Sequence, residues 1–296
     1  MRKVVLLLGS IAAAMLLSVG FMGSEQSVSA QVATAADPVF VGAGDIASCD
    51  SPGDEATANL VDTIPGTVYT TGDNAYQSGT ASEYANCYDP TWGRFKERTY
   101  PSVGNHEYAT PNPNAAPYFE YFGAVAGDPS KGYYSYNLGD WHVVALNSMC
   151  EKVGGCKATS PMVTWLKQDL AENPRTCTLA YFHHPVFSSG TLNGGFPKMK
   201  PSWEVLYAAN ADVVLNGHVH SYERFAPQTP SGVADTAQGI REFVVGTGGR
   251  SLNTFKINPP GHQREARCKH LWSLEANAAP EQLRLGVRPR GGRDLQ

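Results

Sequence analysis

Short runs of β-branched and aromatic residues alternate with helical stretches along most of the chain, and this alternation is the feature that most constrains the fold. The predicted strands lie at 39–44, 67–71, 142–146, 178–182, 213–215 and 242–245. The predicted helices lie at 54–64, 161–170 and 202–209. Ser160 stands before Pro161 as a candidate N-cap. Strands that alternate with helices predict an α/β sandwich, and no internal repeat divides it.

The composition excludes some partners. The chain has 296 residues, of which 42% are hydrophobic and 17% charged, which is enough for one large domain with a sizeable core. Its formal net charge of -4 creates no general positive field, so we expect no nucleic-acid partner. An anionic substrate must then be held by a local site, and metal cations are one way to build it.

The first thirty residues have the pattern of a signal peptide. Arg2 and Lys3 precede an apolar run at 4–21, and residues 28–30 form a small-residue cleavage site. A membrane anchor is the alternative, because the run is nearly long enough to span a bilayer, but no basic stop-transfer cluster follows it. We therefore expect cleavage, a secreted extracellular protein and no stable membrane association afterwards.

Export makes the six cysteines candidates for disulfides. A Gly-Gly turn lies between Cys150 and Cys156, so we predict that these two pair. Cys49 and Cys87 follow two neighbouring strands and form a second candidate pair. The sequence leaves the full connectivity open. The remaining cysteines are Cys177 and Cys268.

Five polar clusters follow strand-like runs, most of them opened by a glycine. They are Gly44-Asp45, Gly72-Asp73-Asn74-Ala75-Tyr76, Gly104-Asn105-His106-Glu107, His183-His184-Pro185 and Gly217-His218-Val219-His220. Ligands of open α/β sheets bind beyond the carboxyl ends of the strands, so these side chains are expected to converge on one crevice. Carboxylates mixed with imidazoles suit Fe, Mn or Zn better than Ca. The sequence therefore predicts a metal site at the strand ends.

One such cluster alone is weak evidence. A Gly-Asp pair is usually a turn, and a lone histidine in an apolar strand is usually a hydrogen-bonded core residue, which is how we interpret His142. The pair His218 and His220 is stronger, because positions i and i+2 of extended backbone face the same side. The complete ordered set is specific.

This ordered set resembles the metallophosphoesterase, or calcineurin-like phosphoesterase, superfamily. Tyr76, three residues after Asp73, resembles the purple acid phosphatases within it, in their short, single-domain, secreted bacterial-type form. The similarity covers roughly residues 39–250, and the catalytic domain is placed at 37–255. It implies a four-layer α/β-β/α sandwich with a dinuclear metal site at the carboxyl ends of the strands.

The resemblance also implies the ligands of two metal ions. Fe(III) would be bound by Asp45, Asp73, Tyr76 and His220, and Asp73 would bridge to a divalent Fe, Zn or Mn ion. The other ligands of the divalent ion would be Asn105, His183 and His218.

The implied activity is that of a secreted acid phosphatase that hydrolyses phosphate monoesters by attack of a metal-bound hydroxide. His106 is implied as a non-ligand histidine that contacts phosphate or protonates the leaving alkoxide, and His184 is the second candidate catalytic residue. No histidine lies between His184 and His218, where relatives often have a general acid, so the identity of the acid stays open.

Two other functions remain open. The same site serves phosphodiesterases or nucleotidases, although Tyr76 favours the monoesterase because the superfamily's diesterases generally lack that tyrosine. A catalytically inactive secreted protein that binds metal or phosphate is the alternative from a different class, and it would require a lost ligand.

The end of the chain departs from the pattern. Seven arginines lie in the last forty-seven residues, against six in everything before, and strand periodicity disappears after Gly249. We predict an atypical Arg- and Pro-rich tail at 256–296, either out of frame or naturally disordered. Relatives close their second sheet with strands in this region, and the sequence predicts none here.

Overall fold

The computed structural model describes residues 38–190 and 194–253, together with the backbone of 263–267. The chain divides into two units, 1–36 and 37–296, and all described residues belong to the second. The predicted signal peptide, Cys268 and the tail at 256–262 and 268–296 lie outside the described residues. In the part of the chain that is described, no helix has the length and apolar character needed to cross a membrane.

The described elements follow one another in the alternation that the sequence predicts. The strands are β1 Phe40–Ala43, β2 Thr67–Thr71, β3 Thr99–Ser102, β4 Tyr134–Leu138, β5 Trp141–Ala145, β6 Cys177–Phe182, β7 Val213–Asn216, β8 Tyr222–Phe225, β9 Arg241–Val245 and β10 Gln263–Arg267. The α-helices are α1 Gly53–Asp62, α2 Ala81–Glu83, α3 Ala116–Phe122, α4 Pro161–Glu172 and α5 Lys200–Ala208. A π-helical turn, Tyr84–Tyr88, continues α2.

The strands form two sheets. The small sheet is parallel, in the order β1-β2-β3. The large sheet has the order β10-β8-β9-β7-β6-β5-β4. Its centre, from β5 through β6 and β7 to β9, is parallel, whereas β4, β8 and β10 pair antiparallel. The parallel strands of both sheets end at the loops that carry the predicted site.

The central strands β5, β6 and β7 are buried on both faces. Side chains alternate along β6, so that Leu179 and Tyr181 enter one apolar cluster while Ala180 and Phe182 enter another. The first cluster also contains Tyr69 of the small sheet and therefore lies between the sheets. The second contains buried side chains of α4 and α5, and a third joins the small sheet to α1 and α3. The layers are helices, sheet, sheet and helices, as the predicted α/β-β/α sandwich requires.

Several local predictions need correction. The helix predicted at 54–64 is α1, which begins one residue earlier and ends at Asp62. Ser160 occupies the N-cap of α4 with extended backbone, yet its side chain makes no capping hydrogen bond. The prediction of no strand after Gly249 is wrong for five residues, because β10 pairs antiparallel with β8.

The disulfide predictions are confirmed within the described residues. Cys49 bonds to Cys87, and Cys150 bonds to Cys156. The interpretation of His142 as a core residue is also confirmed: it is 1% exposed, and its Nε2 lies 2.8 Å from Oδ2 of Asp169 on α4.

Candidate metal centre

Side chains from both sheets meet beyond the carboxyl ends of the parallel strands. Asp45 lies two residues after β1 and Asp73 two residues after β2. His183 directly follows β6, and His218 lies two residues after β7. Asn105 stands three residues after β3. The loops therefore bring together residues that are up to 175 positions apart in the sequence, from Asp45 to His220.

One half of the candidate site is centred on a phenol. The Tyr76 hydroxyl donates to Oδ1 of Asp45 at 2.9 Å and lies 3.1 Å from Oδ2 of Asp73. Nε2 of His220 lies 3.3 Å from the same hydroxyl and 3.3 Å from Oδ1 of Asp45. Two carboxylates, a phenol and an imidazole thus present their donor atoms to one point.

The other half is centred on His183, which is fully buried. Its Nε2 lies 3.1 Å from Oδ2 of Asp73, 3.0 Å from Oδ1 of Asn105 and 3.2 Å from Nδ1 of His218. Its Nδ1 lies 2.8 Å from the carbonyl oxygen of Thr71, which fixes the ring. Oδ2 of Asp73 is close to both Tyr76 and His183, so Asp73 is shared between the two halves.

Three residues of the site have the same kind of strained backbone conformation. Asp45, Asp73 and His218 have φ values of 59°, 51° and 67°, in the left-handed region that non-glycine residues rarely adopt. Residues held in this region tend to cluster at functional sites, where surrounding contacts impose the conformation. Here the amide of His218 donates to Oδ2 of Asp45 at 2.7 Å, and the amide of His106 donates to Oδ1 of Asp73 at 2.8 Å.

Burial and neighbouring charges set the protonation of these groups in the metal-free chain. Burial alone would raise the pKa of Asp73, but the charge of His183 and its hydrogen bond outweigh burial and hold that pKa well below its usual range. Burial would lower the pKa of His183, yet Asp73 raises it to about 9. Burial and the charge of His183 lower the pKa of His218 to about 4. Burial and the charges of Asp45 and Asp73 raise the pKa of Tyr76.

The two candidate catalytic histidines have different surroundings. The His106 side chain is 29% exposed, its Nε2 lies 3.8 Å from Oδ2 of Asp73, and its ring centroid is 4.4 Å from that of Tyr76. His184 is buried, its ring packs 4.2 Å from that of His218, and its Nδ1 lies 2.8 Å from the Ser148 hydroxyl. Burial, followed by the charges of the neighbouring histidines, lowers the pKa of His184 well below its usual range. Only His106 combines exposure with proximity to the shared carboxylate.

The structure adds side chains whose part in the site the sequence did not show. Glu107 is fully buried and binds backbone amides beside Asp73. The guanidinium carbon of Arg250 lies 5.3 Å from the centroid of the Tyr76 ring. The Ser251 hydroxyl lies 2.8 Å from Nδ1 of His220 and orients that imidazole. Glu107 carried the signal of belonging to a polar cluster, whereas Arg250 and Ser251 carried none.

The donor set fits a pair of transition-metal ions. His183 forms a compact group of possible ligands with Asp45 and Asp73, and a second with His184 and His218. Carboxylate, phenol and imidazole donors suit Fe, Zn and Mn. In the metal-free chain the charge of Asp73 favours the protonated imidazole of His183, and a metal bound through Nε2 of His183 would displace that proton.

Comparisons with known proteins agree with this geometry. A model of the calcineurin-like phosphoesterase family matches residues 39–222. Purple acid phosphatase 15 of Arabidopsis thaliana is 31% identical over 206 residues, which cover 57% of this chain and 38% of the relative. Purple acid phosphatase 21 of the same plant is 33% identical over 231 residues, which cover 66% of this chain and 52% of the relative. The chain thus spans about half, or less, of the length of these relatives.

A solved structure of a purple acid phosphatase from yellow lupin seeds shares the fold. The TM-score is 0.67 at 18% sequence identity, and the alignment covers 79% of this chain and 48% of the lupin chain. The family match extends over more than half of the sequence and includes all seven predicted ligand positions. The chain belongs to the calcineurin-like phosphoesterase family.

Proposed function

We propose that this chain is a dimetal acid phosphatase that hydrolyses phosphate monoesters and works outside the cell. The observation that carries the proposal is the position of the Tyr76 hydroxyl, within 2.9–3.3 Å of donor atoms of Asp45, Asp73 and His220. A phenolate beside two carboxylates supplies three anionic ligands, which suits Fe(III) at this half of the site. The neutral donors of Asn105, His183 and His218 then suit a divalent ion at the other half.

The metal pair, when bound, would neutralise the charge of the phosphate and lower the pKa of a coordinated water molecule. The residues of the chain hold this pair and shape the pocket around it. Asp73 links the halves, while the Thr71 carbonyl and the Ser251 hydroxyl orient the rings of His183 and His220. Arg250 places a permanent positive charge on the Tyr76 side of the site, which favours an anionic ester.

Proton transfer to the leaving alkoxide is assigned to His106. Its Nδ1 lies 2.5 Å from the carbonyl oxygen of Gln77, a contact that requires a proton on Nδ1 and fixes the direction of the ring. Nε2 then points toward the site, 3.8 Å from Oδ2 of Asp73, and can carry the proton that the leaving group needs. His184 instead packs against the rings of His218 and Phe196, at the edge of the site.

Export is supported by two kinds of observation. The apolar run at 4–21 follows a basic start, and two disulfides form within the described residues. Disulfides persist in oxidising compartments and are rare in the reducing cytosol. Fractionation of cells that produce the full chain tests this part of the proposal: we expect a processed protein in the extracellular fraction, and an unprocessed protein inside the cell would contradict it.

The activity is tested on the purified chain by elemental analysis, a visible spectrum and assays on a chromogenic phosphate monoester and diester. We expect about two metal ions per chain, a tyrosinate-to-iron absorption band and turnover of the monoester at acid pH. Tyr76→Phe should abolish the band. The matched control is Tyr88→Phe, which removes a buried hydroxyl that has no hydrogen-bond partner among the described residues and should leave the band intact.

Each other result points to a different function. Metal with preferential diester turnover would replace the monoesterase with a phosphodiesterase. Metal with turnover but no band would remove Fe(III)–tyrosinate and keep the phosphatase. A folded chain that binds no metal would contradict the proposal as a whole.

A further inference from the structure

Glu107 is a buried carboxylate that binds backbone amides from two site loops. Its Oε2 accepts from the amide of Asp73 at 3.0 Å and from the amide of Gly104 at 2.7 Å. Its Oε1 accepts from the amide of Asn74 at 2.6 Å and from the hydroxyl of Tyr84 at 3.2 Å. The side chain is fully buried, so the loops after β2 and β3 meet on one carboxylate away from solvent.

Burial of the Glu107 carboxylate costs free energy unless hydrogen-bond donors satisfy both of its oxygens. A carboxylate removed from water is tolerated when several donors satisfy its oxygens, and these four donors, with the side-chain amide of Asn74 at 3.4 Å from Oε1 as a fifth, do so. Because both oxygens are already occupied, Glu107 is not available as a metal ligand. Glu107 can therefore act only through the backbone amides that it binds.

The contacts of Glu107 fall at the strained point of the β2 loop. Asp73 has a left-handed φ of 51°, and the amides of Asp73 and Asn74 both donate to Glu107. Consecutive backbone amides that converge on an anion form a nest, which the anion stabilises. Glu107 thus offsets the strain that presents the Asp73 carboxylate to the site.

The two loops also hold each other reciprocally. Glu107, from the loop after β3, accepts the amide of Asp73, while Oδ1 of Asp73 accepts the amide of His106. Each loop therefore contributes a carboxylate that binds an amide of the other. Asn105 lies between Gly104, whose amide donates to Glu107 of the same loop, and His106, whose amide donates to Asp73 of the other loop.

We infer that Glu107 is a positioning residue for the metal pair, which fixes the shared ligand Asp73 against Asn105 before any metal binds. The inference rests on the proposed dimetal function. It predicts that the two loops are ordered in the metal-free chain. It also predicts that loss of the Glu107 hydrogen bonds weakens metal binding even though Asp73, Asn105 and the other proposed ligands are all still present.

The test compares Glu107→Gln with Tyr84→Phe in the full chain stripped of metal and titrated with Zn²⁺. Glutamine has one acceptor oxygen, and its NH₂ group would face backbone donors, so at least one loop loses its partner. We expect Zn²⁺ affinity to fall by roughly 10- to 100-fold, the range found when groups that orient ligands are removed. Tyr84→Phe removes the one donor that belongs to neither loop and should keep Zn²⁺ affinity within about 3-fold of the parent, against that same range.

Two further measurements separate positioning from a general loss of structure. Thermal unfolding of the stripped variants shows whether Glu107→Gln is folded, and kinetics on the loaded enzyme should show a lower kcat with KM little changed. A folded Glu107→Gln variant with parental Zn²⁺ affinity would overturn the inference. So would an equal loss of affinity in Tyr84→Phe.

Hydrogen exchange on the unsubstituted, stripped chain decides the matter even where Glu107→Gln does not fold. Peptides that cover 72–76 and 104–107 should be protected without metal, and exchange at the rate of an open loop would overturn the inference. A parent chain that binds no Zn²⁺ would refute the proposed function instead, and the exchange result would still report whether the loops are clamped.

Discussion

Gly104 is the position at which one added methyl group should destroy the proposed centre. A Cβ atom at Gly104 would stand 2.2 Å from Oδ1 and 2.4 Å from the backbone nitrogen of Asp73, whereas ordinary van der Waals contact begins at 3.4 Å. Gly104 is not in the left-handed region, so Gly104→Ala introduces a collision without a change in backbone preference. Part of the collision is with backbone, which a new side-chain rotamer cannot relieve.

The magnitude follows from these distances. Asp73 must move by about 1.2 Å to restore contact distance, whereas metal–ligand distances tolerate only about 0.2 Å. The shared carboxylate would therefore lose its place in both halves of the site, and we expect metal affinity to fall by at least roughly 100-fold. Overpacking of this kind also lowers the free energy of unfolding, by about 1–3 kcal/mol.

The assay is metal content after loading and dialysis, together with denaturant unfolding of the stripped chain. Gly123→Ala is the matched control: it has a φ of 65°, and a Cβ there meets no described atom within 4 Å. The backbone of Gly123, with φ 65° and ψ -143°, lies in a region that is essentially restricted to glycine, so the control should lose about 1–3 kcal/mol of stability and keep its metal. If Gly104→Ala retained two metal ions with parental affinity, the reasoning that places Asp73 at the shared position would be refuted.

Three further predictions concern the acid, the core and a disulfide. His106→Gln should keep the metal content and lower kcat by about 10²- to 10⁴-fold for monoesters with poor leaving groups, and less for good ones, as measured across a series of aryl and alkyl phosphates; an equal loss across the series would contradict its role as the acid. His142→Ala removes the Nε2 contact with buried Asp169 and should lower the free energy of unfolding by about 1–3 kcal/mol in denaturant without changing kcat; a change in kcat would mean that this pair is coupled to the site. Replacing Cys49 and Cys87 by serine opens a loop with a sequence separation of 38, which should cost about 4 kcal/mol by loop entropy; an unchanged denaturation midpoint would show that this bond contributes nothing to stability.

Most of the strands that the sequence predicted are buried on both faces. β2, β6 and β7 are continuous runs of apolar or β-branched residues because the sheets lie inside the sandwich, and such runs are visible without knowledge of the partners. β4 and β8 are as long as the predicted strands β2 and β7, respectively, but polar residues interrupt them. In β8, Glu223 is fully buried because Ser188 and Ser189 bind its carboxylate, and these partners lie more than thirty residues away in the sequence.

The sequence predicted which residues come together at the candidate site, but not the side chains that hold them in place. The proposed ligands follow strands within five residues and carry recognisable chemistry, so the order of the clusters was sufficient to propose them. Glu107 was visible only as a member of a cluster, because its partners are backbone amides that leave no trace in the sequence. Arg250 follows the glycine-rich turn and was grouped with the arginines of the tail. Its position beside Tyr76 depends on backbone contacts of that turn, including the hydrogen bond from its amide to the carbonyl of Asp45.

Neither half of the proposed centre belongs to one sheet. The Tyr76 half combines loops of the small sheet with His220 from the large sheet, and the His183 half combines the large sheet with Asp73 and Asn105 from the small one. The distance between the sheets is set by the apolar cluster between them, in which Tyr69 packs near Tyr181 with ring centroids 6.0 Å apart. Because close-packed interiors transmit small shifts, the spacing of the ligands is tied to side chains that touch none of them. The centre therefore depends on the packing of the two sheets against each other, and either sheet alone would hold only part of each ligand set.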